Sequence, residues 1–309
     1  MTTTDTRELV HDTMRDAQAA LIAAFEQVEH EGAPFAGLAP GSFSASSWDR
    51  PGGGGGTARV LTEGATFERA GVNVSAVHGA EVPPSVYQEK PATQGHPYFA
   101  TGVSMVLHPR NPFAPTFHAN LRYFEAGPER WFGGGMDMTP SYGFDEDAQH
   151  FHTTLKRYVE QHGVVEYPAV KDWCDRYFYL PHRKEMRGIG GIFFDNLQPE
   201  GEDGFERALA FISAGAQTII DAYLPVVQRR LATPYGERQR AWQLYRRGRY
   251  VEFNLAYDRG TRFGLQTDGN IEAILMSLPP LARWEFQYQP EPSSPEAEMA
   301  RFLTPQNWA

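Results

Sequence analysis

The stretch TGVSMVLHPRNPFAPTFHANLRYFEA, Thr101–Ala126, decides the fold. Its first eight residues alternate, with Val103, Met105 and Leu107 on one side and Ser104, Val106 and His108 on the other. That two-residue period is the mark of a half-buried strand. Three prolines lie between His108 and His118, and ANLRYFEA then resumes as a second strand with Asn120 and Arg122 on the same side. A strand, a long stiff connection and a returning strand point to an antiparallel pair.

The flanking segments extend this pattern. Val10, Met14, Ala17, Leu21, Phe25 and Val28 recur at helical spacing, which predicts an N-terminal helix within residues 1–32 ending at Gly32. Residues 33–57, rich in Gly and Pro, predict a loop, with the glycine run Gly52–Gly56 as a flexible turn or mobile lid. The run lacks the Gly-Lys-Ser/Thr of a phosphate-binding loop and leads into a strand-like ARVL. Two helices are expected after Asp145, the first ending at Gly163 and the second opening at Pro168. A longer one spans Phe205–Leu231, interrupted or kinked at Pro225. RYVEFNLAYDRG and NIEAILMSLPP alternate over short windows and are expected as strands, and a short helix begins after Ser294. Strands in pairs, rather than in strict alternation with helices, predict an α+β fold, one domain over 1–309, with a mainly antiparallel sheet.

Composition narrows the function classes. The net charge of −10 disfavours general nucleic-acid binding, though clustered arginines can still receive a small anion. Apolar runs such as Ala19–Phe25 fall short of the ~20 residues that a membrane span needs, so no membrane insertion is expected. The single cysteine, Cys174, rules out an internal disulfide and a cluster held by several thiolates of one chain. A cytoplasmic setting is the expectation.

Three stretches carry candidate chemistry. The histidines His108, His118, His150, His152 and His182 are dispersed and lack the HExxH pair or close Cys/His spacing of a legible zinc site. Spacing alone leaves catalytic, structural and metal-binding roles open. In WFGGGMDMTPSYGFDED, three glycines permit close backbone approach, and Asp137 follows among methionines. It is either a cap on a glycine turn or a working carboxylate with a tuned pKa. In RRGRYVEFNLAYDRGTRFGLQTDGN, Asp258 and Arg259 sit at an expected strand end, as a local ion pair or as functional groups. Arg246, Arg247 and Arg249 form either a solvated face or a polyanion contact.

Taken together, NPFAPTFHANLRYFE, WFGGGMDMTPSYGFDEDAQHFH, DWCDRYFYLPHRKEMRGIGGIFFD and GRYVEFNLAYDRGTRFGLQTDG make the chain resemble the oxygen-dependent coproporphyrinogen III oxidases. The match runs over nearly its whole length. The resemblance implies an aerobic oxidoreductase of haem biosynthesis that converts the ring A and B propionates of coproporphyrinogen III to vinyl groups. The products would be protoporphyrinogen IX, carbon dioxide and hydrogen peroxide, with dioxygen as co-substrate. It further implies a homodimer joined through residues 250–284 and a sheet with helices on both faces.

By the same resemblance, His118 is a proton donor, and Arg122, Asp137, Asp258 and Arg259 serve binding and turnover. Ser104, Asn120, Leu121 and Arg122 contact substrate, as does the turn Asp268–Gly269–Asn270. His108, His118, His152 and His182 match a divalent-metal position of some members, with manganese or zinc as the metal; no obligatory cofactor is expected. The turn departs from the family pattern, since many members carry an arginine where this chain has Asn270, and Arg262 is a candidate substitute. Two other classes stay in view: a non-haem iron oxygenase and a non-catalytic tetrapyrrole carrier. The oxygen-independent route, which uses a cysteine-bound cluster, is disfavoured by the lone Cys174.

Overall fold

The computed structural model describes residues 3–266 and 269–309. Helix α1 (Thr3–Ala36) buries Val10, Met14, Leu21, Phe25 and Val28 on one stripe. It runs past Gly32, where the absent side chain makes room for Thr66, and stops at Gly37, whose φ of 65° no longer fits a helix. The segment expected as loop or lid instead contains a hairpin, β1 (Ser44–Asp49) and β2 (Gly54–Thr62). Gly53 and Gly54 turn it at φ 97° and 85°, and Gly56 lies beneath the Trp48 ring. The expected turn thus falls at Gly52 and Gly53, while Gly54–Gly56 are drawn into β2, where the bare backbone of Gly56 accommodates the cross-strand indole.

The sheet continues through β3 (Phe67–Gly79) and, after the one-turn helix α2 (Pro84–Tyr87), through β4 (Tyr98–Pro109), β5 (Thr116–Ala126) and β6 (Glu129–Thr139), and ends at β9 (Gly191–Leu197). All seven strands pair antiparallel in the order β1-β2-β3-β4-β5-β6-β9, so the expected antiparallel sheet is observed. The short strands β7 (Tyr179–Leu180) and β8 (Glu185–Met186) form a separate pair.

Side-chain parity gives the sheet two unlike faces. Val72, Val103, Met105, Leu107, Phe117, Leu121, Met136 and Phe194 point to a dry face covered by α1, α3 (Asp145–His162) and α5 (Gly204–Arg230). α5 runs unbroken through Pro225. It is also long and apolar enough by composition to cross a membrane, contrary to the expectation from shorter runs, yet 61% of that window is buried in this core. Its Gly215 sits directly over Leu121, where a Cβ would fall 2.6 Å from a leucine methyl.

The opposite face carries Asn73, Ser104, His118, Asn120, Arg122 and Asp137, flanked by α4 (Tyr167–Tyr177) and three further helices. These are α6 (Glu237–Ala256), α7 (Arg259–Gln266) and α8 (Ile271–Leu275). The fold is therefore α+β with helices on both faces. The chain ends in α9 (Pro295–Phe302), capped by Ser294 as expected.

Helices α6 to α8 correct the expected strands within 250–284. Across α6 the buried residues are Trp242, Gln243, the run Arg246–Tyr250, Phe253 and Asn254, and Trp242, Arg246, Tyr250, Phe253 and Asn254 among them keep a spacing of three and four that short alternating windows concealed. Arg246, Arg247 and Arg249 are buried, so they form neither a solvated face nor a polyanion contact. Arg247 pairs with Glu68 at 2.5 Å and Arg246 with Glu185 at 2.8 Å, so distant carboxylates bring them inside.

One further buried acid ties the fold together. Glu29 of α1, fully buried, accepts the backbone N–H groups of Gly41, Ala65, Thr66 and Phe67 at 2.6–3.0 Å. The loop before β1 and the turn into β3 thus close on one carboxylate.

Candidate active site

The second face of the sheet is bare where it matters. On β6, Gly133 and Gly135 face the same side as Asp137, and neither has room for a side chain. A Cβ on Gly133 would meet Asp195 Oδ1 at 2.6 Å and Arg122 Nε at 2.8 Å, and one on Gly135 would meet Phe193 at 3.1 Å. The glycine triplet is thus a floor under polar side chains rather than a turn that Asp137 caps.

At one end of this floor, β5 places His118 opposite Asp137 of β6. His118 Nδ1 lies 2.8 Å from Asp137 Oδ1. The carboxylate is ionised, so Nδ1–H donates and the bond leaves Nε2 without a hydrogen-bond partner among the described residues. Behind Asp137 stands Arg187, fully buried, whose Nη2 reaches both carboxylate oxygens at 2.9 and 2.7 Å. Arg187 Nη1 donates to Asn254 of α6 at 2.8 Å. Its guanidinium lies against the rings of Phe178, Tyr250 and Phe253, at 4.2, 4.4 and 4.8 Å. Burial pushes the Asp137 pKa upward, but the charge of Arg187 and the hydrogen bonds from His118 and Arg187 outweigh it and hold the group below its ordinary range.

Further along β5, Asn120 lies beside Ser104 of β4, and Arg122 Nη1 donates to Asn120 Oδ1 at 2.9 Å. Arg122 Nη2 pairs with Asp195 of β9 at 2.9 Å and its guanidinium lies 5.8 Å from the Phe193 ring centre. Tyr177 stacks on the same ring at 4.3 Å. The Tyr177 hydroxyl donates to Asp258 Oδ1 at 3.0 Å and accepts from the Arg259 amide at 3.1 Å. Asp258, expected at a strand end, sits instead between α6 and α7, where its Oδ2 accepts the Thr261 amide at 2.7 Å. The Arg259 side chain is largely exposed and approaches Glu89 at 3.9 Å, so it is not the ion-pair partner of Asp258.

The fold therefore brings Ser104, His118, Asn120, Arg122 and Asp137 onto one floor, with Asp258 joined to it through Tyr177 and Phe193. Leu121 is different, because its side chain is fully buried in the core on the dry face. Asn270 caps α8 by accepting the Ala273 amide at 3.1 Å, and the Gly269 amide donates to Gly264. Asp268 lies outside the described residues. Arg262 is exposed.

The four candidate metal histidines are not assembled. His108, fully buried, is bonded through Nδ1 to the Thr116 hydroxyl at 3.2 Å and through Nε2 to the Ser277 carbonyl at 2.9 Å. His152 engages the Tyr167 hydroxyl and the Ile189 carbonyl with its two nitrogens, at 2.9 and 3.0 Å. Burial pushes the His152 pKa down to about 3 and that of His108 well below its ordinary value, so both rings are neutral structural pins. His182, at the surface, lies between Glu252 and Tyr257. Among the described residues no group of three or more His, Cys, Asp or Glu side chains is placed to hold a metal. These residues do not fit a shared ion, and the facial triad of an iron oxygenase is likewise not formed among them.

Arg187, Asn254, Asp195, Tyr177 and Phe193 were not singled out in the sequence. The signal was present for Arg187: a lone arginine in MRGIGG, between apolar and glycine residues, is buried only if an acid meets it. Asp195 and Phe193 gave no such signal in IFFD, since only strand register shows which face they share. The family model described as coproporphyrinogen III oxidase matches residues 9–308 of the chain.

Proposed function

Because the chain belongs to the coproporphyrinogen III oxidase family, we propose that it performs the oxygen-dependent reaction, using protein side chains for every proton transfer. The observation that carries this reading is the His118–Asp137–Arg187 relay at one end of a floor that also presents Ser104, Asn120 and Arg122.

Each turn of the reaction takes one propionate arm, one dioxygen and one proton to a vinyl group, carbon dioxide and hydrogen peroxide. The carbon next to the pyrrole loses a hydrogen, the carboxylate leaves as carbon dioxide, and two electrons pass to dioxygen. Arg122 holds a substrate carboxylate at the rim, in the forked geometry that a guanidinium offers. Asp258 is half-buried and has acceptor capacity left for a pyrrole N–H, whereas both Asp137 oxygens are committed to Arg187 and one also to His118. With Nδ1–H fixed on Asp137, Nε2 of His118 takes the departing proton, and the ionised carboxylate steadies the imidazolium that results. The test is oxygen uptake by the purified protein given coproporphyrinogen III, with peroxide and carbon dioxide measured together. One equivalent of each per vinyl group formed is expected, and vinyl formation without oxygen uptake would overturn the reading.

A homodimer is part of the same proposal. Leu255, Ile271, Leu281, Trp284 and Phe286 expose large apolar surfaces within or beside 250–284, and Phe286 is 93% exposed. Trp284 is held in place by donating to Glu252 at 2.9 Å. The double variant Leu281→Glu/Phe286→Glu should sediment as a folded monomer where the parent sediments as a dimer. A monomeric parent, or a variant that still dimerises fully, would remove these residues from the interface.

A further inference from the structure

We propose that Asp195 is the internal ligand of Arg122, a carboxylate that occupies the guanidinium and exchanges with a substrate carboxylate. This rests on the reading that Arg122 receives a carboxylate arm. The pair is made in a place where exchange is possible: the Arg122 and Asp195 side chains are 34% and 21% exposed and 2.9 Å apart. A contact so open to water is worth little by itself and is readily traded for an equivalent one.

The local backbone is bent to make the contact. Phe132 and Gly134 of β6 pair with Leu197 and Phe194, so β9 carries one residue more than its partner at this point, a bulge. Asn196, inside the bulge, has φ 54°, a left-handed conformation that asparagine tolerates better than most residues with a side chain. Asp195 Oδ1 accepts the Asn196 amide at 2.9 Å, which fixes the carboxylate and leaves Oδ2 to Arg122. Gly133 lies beneath, with no side chain to separate the two. A bulge, a left-handed asparagine and a glycine thus converge on a single half-exposed ion pair.

The consequence is control of grip. A half-buried arginine without a partner would hold any carboxylate, including those that the product retains. With Asp195 present, binding replaces one carboxylate by another, and release is helped by the return of the first. Asp195 is thus a positioning residue whose effect passes through Arg122.

Asp195→Asn keeps the shape and removes the charge. Fluorescence quenching of coproporphyrin III, the oxidised and unreactive macrocycle, should show roughly fivefold tighter binding than the parent. Turnover should fall with KM, as product leaves more slowly. In an Arg122→Gln background the same change should have no effect on binding, which separates this role from a structural one. Unchanged or weaker binding in Asp195→Asn, or an equal gain in both backgrounds, overturns the proposal. If the parent binds no coproporphyrin III, the substrate reading fails. The Asp195 proposal is then decided by propionate titration of the Arg122 Nε–H resonance, which should saturate at lower concentration in Asp195→Asn.

Discussion

Arg187→Met should lower the unfolding free energy by about 3–5 kcal/mol, because it leaves the buried Asp137 carboxylate without its guanidinium. The loss has a pH signature. In the parent, the folded pKa of Asp137 is held below its ordinary value of 3.8, so its contribution to stability is present above that value. That contribution is lost as pH falls through the depressed folded value. Without Arg187, burial dominates and raises the folded pKa, so the variant binds a proton on folding and recovers part of its deficit on acidification. Urea midpoints at neutral pH and near pH 4 should therefore differ more at neutral pH. A pH-independent gap, or one below about 1 kcal/mol, would show that the pair is not what holds this end of the sheet. Turnover of the folded fraction should fall by about a hundredfold or more, since His118 loses an ionised partner for Nδ1.

Glu29→Ala should cost about 3–6 kcal/mol for a different reason. No charge pair breaks; four backbone N–H groups lose one shared acceptor, three of them buried, at about 1–3 kcal/mol each where water does not reach. Glu29→Gln should recover little, because its amide turns a donor toward donors. The check is the denaturant midpoint together with the slope, which should hold steady if only stability changes. If Gln restores most of the loss, the clamp is mainly packing rather than hydrogen bonding.

The dry face of the sheet was legible because strands β4 and β5 alternate cleanly, and the same alternation put Ser104, Asn120 and Arg122 together. What lay beyond reach had identifiable causes. The α6 segment presents arginines on its buried side, so a rule that places charge outside turned a helix face into apparent strand alternation. Gly54–Gly56 sit in a strand, and Gly56 there receives the Trp48 ring, a cross-strand fact invisible to local propensity. His108 and His152 look like ligands in one dimension and are hydrogen-bonded pins in three. Asp195 and Arg187 join the site only through register and tertiary pairing, which spacing along the chain does not encode.

The separation of the two faces by parity sets how this chain can change over time. Substitutions are sorted by whether a position is odd or even along β5: Phe117, Ala119 and Leu121 answer to packing, and His118, Asn120 and Arg122 to chemistry. An inserted or deleted residue within the strand cannot be sorted in this way. It would turn leucine and phenylalanine toward the floor and drive an arginine and a histidine into the core in one step. Length variation is therefore confined to the connections, while the interior of the strand is open to replacement but closed to insertion.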